Sequence, residues 1–257
     1  MNPYESLARF YDLENADRVE DLPLWADLAR ETGGPVLELG CGSGRVALHL
    51  AREGFDVVGV DSSPAMLELA RNRLTHNAQS VSRVQFLLDD FLRLQLARTF
   101  PLILLPYNTF AHLLDTSDLT AAMQAISAHL APQGRVAVEL PNPVSALTAA
   151  QDGLVLEHTF RDEDQGVTVQ QFSSLRVDRI AQRGHITWIY DETDSRGGVR
   201  RTTVPMILRY FFPNELRLLL SAAGLRILHL WGDYDRSGLA ENSPTMILIG
   251  GRQPESF

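Results

Sequence analysis

The segment VLELGCGSGR, residues 36–45, constrains the fold more than any other part of the chain. An apolar run of strand type leads directly into three glycines at alternate positions, Gly40, Gly42 and Gly44, and a helical spacing of apolar residues follows over residues 46–51. Glycine permits a sharp turn and a close approach of the backbone to a ligand, and the start of the next helix offers unpaired N–H groups to negative charge. The pattern predicts a strand, a ligand-binding loop and a helix.

Short apolar runs alternate with helical patterns as far as residue 142. Runs such as FDVVGV, VQFLL and LILL have no polar face, which is typical of a parallel sheet covered by helices on both sides. From Leu154 to Tyr210, long alternating runs separated by DEDQG, AQRG and DSRGG favour an antiparallel meander. We therefore predict an α/β fold, a doubly wound, mostly parallel core of residues 1–145 and 211–257, with an antiparallel β insertion at 146–210.

Charge and composition limit the classes of binding partner. The net charge of −9 opposes non-specific attraction to nucleic acid. No apolar run approaches the roughly 18 to 20 residues that a membrane span requires. The single cysteine, Cys41, cannot form an internal disulfide, which favours a cytoplasmic protein. We expect a small-molecule partner, no nucleic acid, no membrane, and a monomer or homodimer.

Acidic residues near the glycine loop separate two cofactor hypotheses. Asp61 ends the next strand, where a carboxylate can accept both hydroxyls of a ribose. Residues 42–47 also satisfy the dinucleotide pattern G-x-G-x-x-A, so an NAD-dependent oxidoreductase is an alternative. Glu38, inside the strand before the loop, suits an ammonium group and would repel a pyrophosphate. Asp90 and Phe91 can address an adenine amine and ring. A noncatalytic cofactor-binding module is a further alternative.

Taken together, the segments ELGCGSGR, GVDSSPAML, LLDDF and LLPYNTFAHLL resemble the class I S-adenosylmethionine-dependent methyltransferases. The resemblance covers roughly residues 10–142 and resumes from about 213 to the end. It implies a seven-stranded Rossmann-like methyltransferase sheet, S-adenosyl-L-methionine as cofactor, and methyl transfer to nitrogen or oxygen of a small-molecule acceptor. The β insertion resembles that of small-molecule methyltransferases, among them sugar amine N-methyltransferases of antibiotic pathways.

The resemblance also implies a set of cofactor-binding residues, with Glu38 near the methionine amino group, Asp61 on the ribose, and Asp90 and Phe91 at the adenine. Tyr11 matches a tyrosine that often closes over the cofactor in this subgroup. The whole set comprises Tyr11, Glu38, Gly40, Cys41, Gly42, Gly44, Arg45, Asp61, Ser62, Met66, Asp89, Asp90, Phe91, Pro106 and Asn108.

The chemistry is expected at the segment after the fourth strand, where the methyl group should lie. His112 is the candidate base, and Tyr11 is the second candidate catalytic residue. The insertion is expected to act as a substrate lid. Candidate substrate contacts are Tyr107, His112, Trp188, Tyr190, Arg209, Tyr210 and Tyr234.

Two further methyltransferase types are disfavoured. No cluster of His, Glu and Asp has the spacing of metal ligands, so we predict no metal and disfavour the magnesium-dependent type. PYNT stands where methyltransferases acting on DNA adenine or protein glutamine carry an asparagine-proline-proline-aromatic tetrapeptide, which disfavours those acceptors too.

Overall fold

The computed structural model describes residues 2–15, 17–75, 82–148 and 153–253. The predicted core and insertion ranges also include residues 1, 16, 76–81, 149–152 and 254–257, which lie outside the described residues. The first part of the chain forms α1 (Tyr4–Asn15), α2 (Leu22–Thr32), β1 (Val36–Leu39), α3 (Arg45–Arg52), β2 (Val57–Asp61), α4 (Pro64–Thr75), β3 (Val84–Leu88), β4 (Phe100–Leu105), a 3-10 turn (Thr109–His112), α5 (Thr116–His129), β5 (Leu130–Pro141) and α6 (Pro143–Thr148). The second part forms β6 (Val155–Asp162), β7 (Val167–Asp178), β8 (Arg183–Thr193), β9 (Val199–Arg209), α7 (Pro213–Ala222), β10 (Leu225–Trp231) and β11 (Thr245–Arg252).

The core is one seven-stranded sheet in the order β10-β11-β5-β4-β1-β2-β3. All neighbouring strands pair in parallel except β11, which is antiparallel to both β5 and β10. The strand order reverses between β1 and β4, so a crevice for a ligand opens beyond their carboxyl ends. The predicted doubly wound, mostly parallel α/β sheet is confirmed.

Helix boundaries follow local sequence chemistry. Ser63 accepts the Met66 N–H with its hydroxyl at 3.2 Å, and Pro64 is the first residue of α4, as the SSP segment predicts. Gly224 follows α7 with φ of +73°, the left-handed conformation expected of a residue just after a helix. In the described residues, no helix is long and apolar enough to span a bilayer.

Two local features do not follow from the sequence pattern. Residues 132–134, PQG, have a composition typical of a turn but lie inside β5, where pairing with β4 changes register between Phe100 and Leu102. The N-terminal segment, which is mixed and acidic in composition, forms α1, whose Leu7 and Phe10 are buried in the core. This helix is held by contacts with distant parts of the chain, and a pattern of neighbouring residues does not reveal them.

The insertion forms a separate four-stranded antiparallel sheet in the order β6-β7-β8-β9, which confirms the predicted meander. Its inner face packs against α1, and the Phe10 and Tyr190 rings stack with centroids 4.2 Å apart. Tyr190 donates a hydrogen bond to Glu14 at 3.0 Å, and Gln171 donates another at 2.6 Å. The insertion therefore supports α1 directly, and both belong to one hydrophobic cluster with the core sheet.

Candidate active site

A cavity of about 360 Å³ lies where the carboxyl ends of β1, β2 and β4 meet α1. Most of the residues predicted from the sequence to bind the cofactor form its wall. Those in the wall are Tyr11, Glu38, Gly40, Cys41, Gly42, Arg45, Asp61, Ser62, Met66, Phe91 and Pro106, together with the candidate substrate residues Tyr107 and His112. The folded chain brings these residues into one site.

The glycine loop depends on the absence of side chains at two points. At Gly40, φ is +69° and an added Cβ would lie 2.7 Å from Oγ1 of Thr109, the residue that opens the 3-10 turn after β4. At Gly44, φ is +75° and an added Cβ would lie 2.7 Å from the Phe86 ring. Gly40 thus keeps the cavity wall close to the segment after β4. Gly44 lies outside the wall and serves the packing of the loop on β3.

Asp61 connects the end of β2 to the loop. Its carboxylate accepts the Gly42 N–H at 2.7 Å and the Ser63 N–H at 2.8 Å. Burial raises the pKa of this carboxyl, and the backbone hydrogen bonds act in the opposite direction. A negative charge is therefore held at the cavity wall by two backbone donors.

Glu38 is an acid in an unusual place, because its residue is only 2% exposed and its Oε2 atom has no hydrogen-bond partner among the described residues. Burial raises its pKa to about 8. A buried carboxyl oxygen without a partner is costly unless a ligand supplies a donor. The cavity therefore suits a ligand with an ammonium group. The glycine loop lets that ligand approach the backbone closely.

Tyr4 and His112 meet in another part of the cavity wall. The Tyr4 hydroxyl and His112 Nε2 share a hydrogen bond of 2.9 Å, and both residues line the cavity. Burial lowers the pKa of His112 to about 4 and raises the pKa of Tyr4. The imidazole is therefore neutral at pH 7. Tyr4 was missed from the sequence, although it stands seven residues before Tyr11, the spacing of two helical turns on one face.

Several predicted cofactor residues lie just outside the wall. Asp89 and Asp90 are exposed, and their carboxylates accept the N–H groups of Asp90 at 2.8 Å and Leu92 at 3.0 Å. Asn108 precedes the 3-10 turn with φ of +63°, and its carbonyl accepts the Ala111 N–H at 2.8 Å. Arg45 is in the wall, but it is also bound to Asp21 at 2.6 and 2.7 Å. Cofactor contacts by these residues stay predictions.

Five of the predicted substrate residues lie away from the cavity wall. Tyr190 bonds Glu14, Arg209 pairs with Glu215 at 2.5 Å, and Tyr234 donates to Glu139 at 2.6 Å. Trp188 packs against the core, and Tyr210 is buried. Tyr190 contacts α1, which itself lines the cavity, whereas Arg209 and Tyr234 bond residues outside α1, so these side chains have protein partners. Of the predicted substrate residues, Tyr107 and His112 are the ones in the wall.

A sheet of this order with a glycine loop and an acid at the end of β2 defines an α/β protein that binds a nucleotide-type cofactor. A family profile described as a methyltransferase domain matches residues 36–134. A dTDP-3-amino-3,6-dideoxy-alpha-D-glucopyranose N,N-dimethyltransferase of Streptomyces fradiae is 30% identical over 245 residues, which cover 93% of this chain and 91% of that protein.

Two other proteins are similar along most of their length. The cypemycin N-terminal methyltransferase of a Streptomyces species is 27% identical over 90% of this chain and 89% of its own length. The solved structure of the CcbJ methyltransferase from Streptomyces caelestis superposes with a TM-score of 0.82 and 26% identity, covering 96% of both chains. The chain belongs to the class I S-adenosylmethionine-dependent methyltransferases. It is an enzyme whose cofactor is S-adenosylmethionine, and the two alternative hypotheses are set aside.

Proposed function

We propose that this enzyme transfers the methyl group to the amine nitrogen of a small molecule, rather than to a hydroxyl oxygen. The observation that carries the proposal is the weakly basic His112, which is hydrogen-bonded to Tyr4 in the cavity wall and has a pKa of about 4. An amine attacks through its own lone pair and needs no strong base, whereas a hydroxyl must first give up its proton. The names of two relatives, the cypemycin N-terminal methyltransferase and the N,N-dimethyltransferase of a dTDP-linked amino sugar, describe transfer to nitrogen and support the same acceptor class.

When bound, S-adenosylmethionine supplies the electrophilic methyl group. The tasks of the chain are to align the acceptor, to exclude water and to accept a proton. Tyr4 and Tyr11 of α1 cover the cavity, and Glu38 and Asp61 offer carboxylates to the cofactor. An attacking amine must be unprotonated and sheds a proton during or after transfer. At neutral pH the imidazole, with a pKa of about 4, is unprotonated and can accept a hydrogen bond from the attacking amine, and the proton passes on to solvent because so weak a base does not hold it.

We also propose that the insertion acts as an indirect lid. Its inner face holds α1 through Gln171, Tyr190 and Glu14, and α1 in turn closes the cavity. The proposal also includes a cytosolic site of action, supported by the single buried thiol of Cys41. The proposed oligomeric state is a monomer or a homodimer.

The proposal is tested with pairs of small molecules that differ only in an amine or a hydroxyl, including amino sugars and their hydroxyl analogues. S-adenosylhomocysteine release is measured with each. We expect turnover with amines, and turnover restricted to the hydroxyl partners would contradict the proposal. His112→Ala should lower turnover while the affinity for S-adenosylhomocysteine stays within about threefold, since the imidazole makes no charged bond to the cofactor. An unchanged pH profile in that variant would remove His112 as the base.

A further inference from the structure

The chain takes an uncommon backbone conformation directly after β4. Tyr107 and Asn108 have φ of +45° and +63°, so two consecutive residues other than glycine occupy the left-handed region. This conformation costs free energy for residues with a side chain and persists only where surrounding contacts determine it. The Tyr107 side chain belongs to the cavity wall, next to Pro106 and close to Thr109 in the chain. The strain therefore lies in the wall where the methyl group is expected.

The contacts that hold Tyr107 converge on Glu139, near the end of β5. Glu139 Oε2 accepts the Tyr107 backbone N–H at 2.9 Å, and its Oε1 accepts the Tyr234 hydroxyl at 2.6 Å. Arg18, between α1 and α2, places its guanidinium 4.0 Å from the centre of the Tyr107 ring and lies 3.5 Å from Glu139 Oε1. Arg18 also donates to the Tyr234 hydroxyl at 3.0 Å. Three other segments of the chain thus meet at one carboxylate.

A packing role alone is a poor explanation for this carboxylate. Glu139 is 3% exposed, and the other residues of β5 from Val136 to Leu140 are apolar and buried. An apolar side chain at this place would avoid the cost of burying a charge, and replacement of buried ion pairs by well-packed apolar residues is often neutral or stabilising. An apolar side chain would, however, leave the Tyr107 N–H without an acceptor in a strained turn. The carboxylate therefore serves the conformation of Tyr107.

We propose that Glu139 is a positioning residue, which with Arg18 holds Tyr107 in the wall on the methyl side of the cavity. This inference rests on the proposed function, because it assigns the Tyr107 side of the cavity to the reacting groups. Glu139 itself lies behind the wall, so it acts through Tyr107. Glu38, Asp61 and Phe91 form another part of the cavity wall. The network reaches the glycine loop through Arg45, whose guanidinium donates to the Arg18 carbonyl at 3.1 Å.

The test uses two cofactor analogues and needs no acceptor. Sinefungin carries a protonated amine where S-adenosylmethionine carries its methyl group, whereas S-adenosylhomocysteine has nothing there. The ratio of their dissociation constants, measured by calorimetry, therefore reports on the methyl side of the cavity. In Glu139→Gln we expect sinefungin affinity to fall roughly tenfold, the size expected when a charged hydrogen bond is weakened, while S-adenosylhomocysteine affinity stays within about threefold.

The same substitution in a Tyr107→Gly variant shows whether Glu139 acts on sinefungin affinity through Tyr107. Glycine adopts positive φ freely, so Tyr107→Gly removes the need for a residue that enforces this conformation. In that background, Glu139→Gln should leave the sinefungin ratio unchanged. Glu192→Gln is the matched control, because Glu192 is also 3% exposed and paired with arginines, but in the insertion. It should change neither affinity.

Three results would overturn the inference: an equal loss of affinity for both analogues, no loss for either, or the same change of the ratio with and without Tyr107. If Glu139→Gln does not fold, Arg18→Met replaces it. That variant keeps an apolar contact with the Tyr107 ring and removes the guanidinium, and the same change of the ratio is expected. Failure of the proposed function is distinct. It would appear as methylation of hydroxyls rather than amines by the unmodified enzyme, whatever the analogue ratio.

Discussion

The core sheet and the insertion sheet bury their side chains differently. Every residue of β1 is buried, because helices cover both faces of the core sheet. In β7, buried Val169, Gln171 and Ser173 alternate with partly exposed neighbours, because one face of the insertion sheet has a partner. The core therefore presents the cofactor loop directly. The insertion reaches the site indirectly, through α1 and through the segment after the 3-10 turn, where Arg183 and Arg209 donate to the Leu114 carbonyl at 3.2 Å. Changes in the core should affect ligand binding, and changes in the insertion should affect mainly stability.

The largest expected effect among changes in the core is that of Gly40→Ala, which tests whether the core directly controls ligand binding. A side chain at this position meets Thr109 and has an unfavourable φ, so the free energy of unfolding should fall by roughly 2–4 kcal/mol and calorimetry should detect no binding of S-adenosylhomocysteine. Gly33→Ala is the control, since Gly33 has φ of +79° with open space around its Cβ position. Equal binding by the two variants would show that close approach to Thr109 is unimportant.

A smaller loss is expected for Asp61→Ala. Removal of the carboxylate should weaken S-adenosylhomocysteine binding by about 1.5–3 kcal/mol, because its charged hydrogen bond to the loop and the predicted hydrogen bonds to the ribose are lost. Asp56→Ala serves as the comparison, since Asp56 directly precedes the same strand β2 at its other end, is exposed and lies outside the cavity wall. Its affinity should stay within about twofold. Similar losses in both variants would show that the effect of Asp61→Ala does not come from a contact with the cofactor.

Glu38 links cofactor binding to pH. With a pKa of about 8, its carboxyl is mostly protonated at pH 7, and an ammonium group bound beside it should ionise it. We expect nearly one proton to be released per S-adenosylhomocysteine bound at pH 7, so that affinity rises with pH by up to about 1.4 kcal/mol per pH unit below pH 8. Calorimetry in buffers with different ionisation enthalpies measures the release.

The same shift has a defined sign for stability. Between pH 4.5 and 8 the folded chain holds a proton on Glu38 that the unfolded chain has released. The contribution of this group to the free energy of unfolding is therefore present at low pH and is lost as pH rises through that range. Glu38→Gln should abolish both the proton release and this slope. Buffer-independent binding enthalpies in the unmodified enzyme would argue against the assignment.

The smallest effect belongs to the insertion. Tyr190→Phe removes the hydrogen bond to Glu14 and keeps the stacking on Phe10, so thermal or denaturant unfolding should show a loss of about 1 kcal/mol. S-adenosylhomocysteine affinity should remain within about twofold, as for a change that does not touch the cavity. A loss of affinity as large as that of Asp61→Ala would mean that the insertion contributes to the cofactor site and would remove the contrast between the two sheets.

The difference between the core and the insertion also explains which features could be predicted from the sequence. The loop over residues 36–45, the acid at Asp61 and the helix start at Ser63 depend on neighbouring residues, and their patterns indicate both fold and cofactor. The aromatic residues of the insertion were harder to interpret. An alternating strand pattern identifies the buried face but not what covers it, and Tyr190 packs on Phe10 of α1 rather than facing the cavity.

The sequence by itself determined the class of the protein, because a glycine loop, an apolar strand and strand-end acids are chemical requirements met within short stretches of chain. Only the tertiary structure decided the methyl side of the cavity. Tyr4 reaches His112 across 108 positions, and Glu139 holds Tyr107 across 32. Such pairs arise from the way α1 and β5 pack around the end of β4. The spacing of residues along the chain does not reveal that packing.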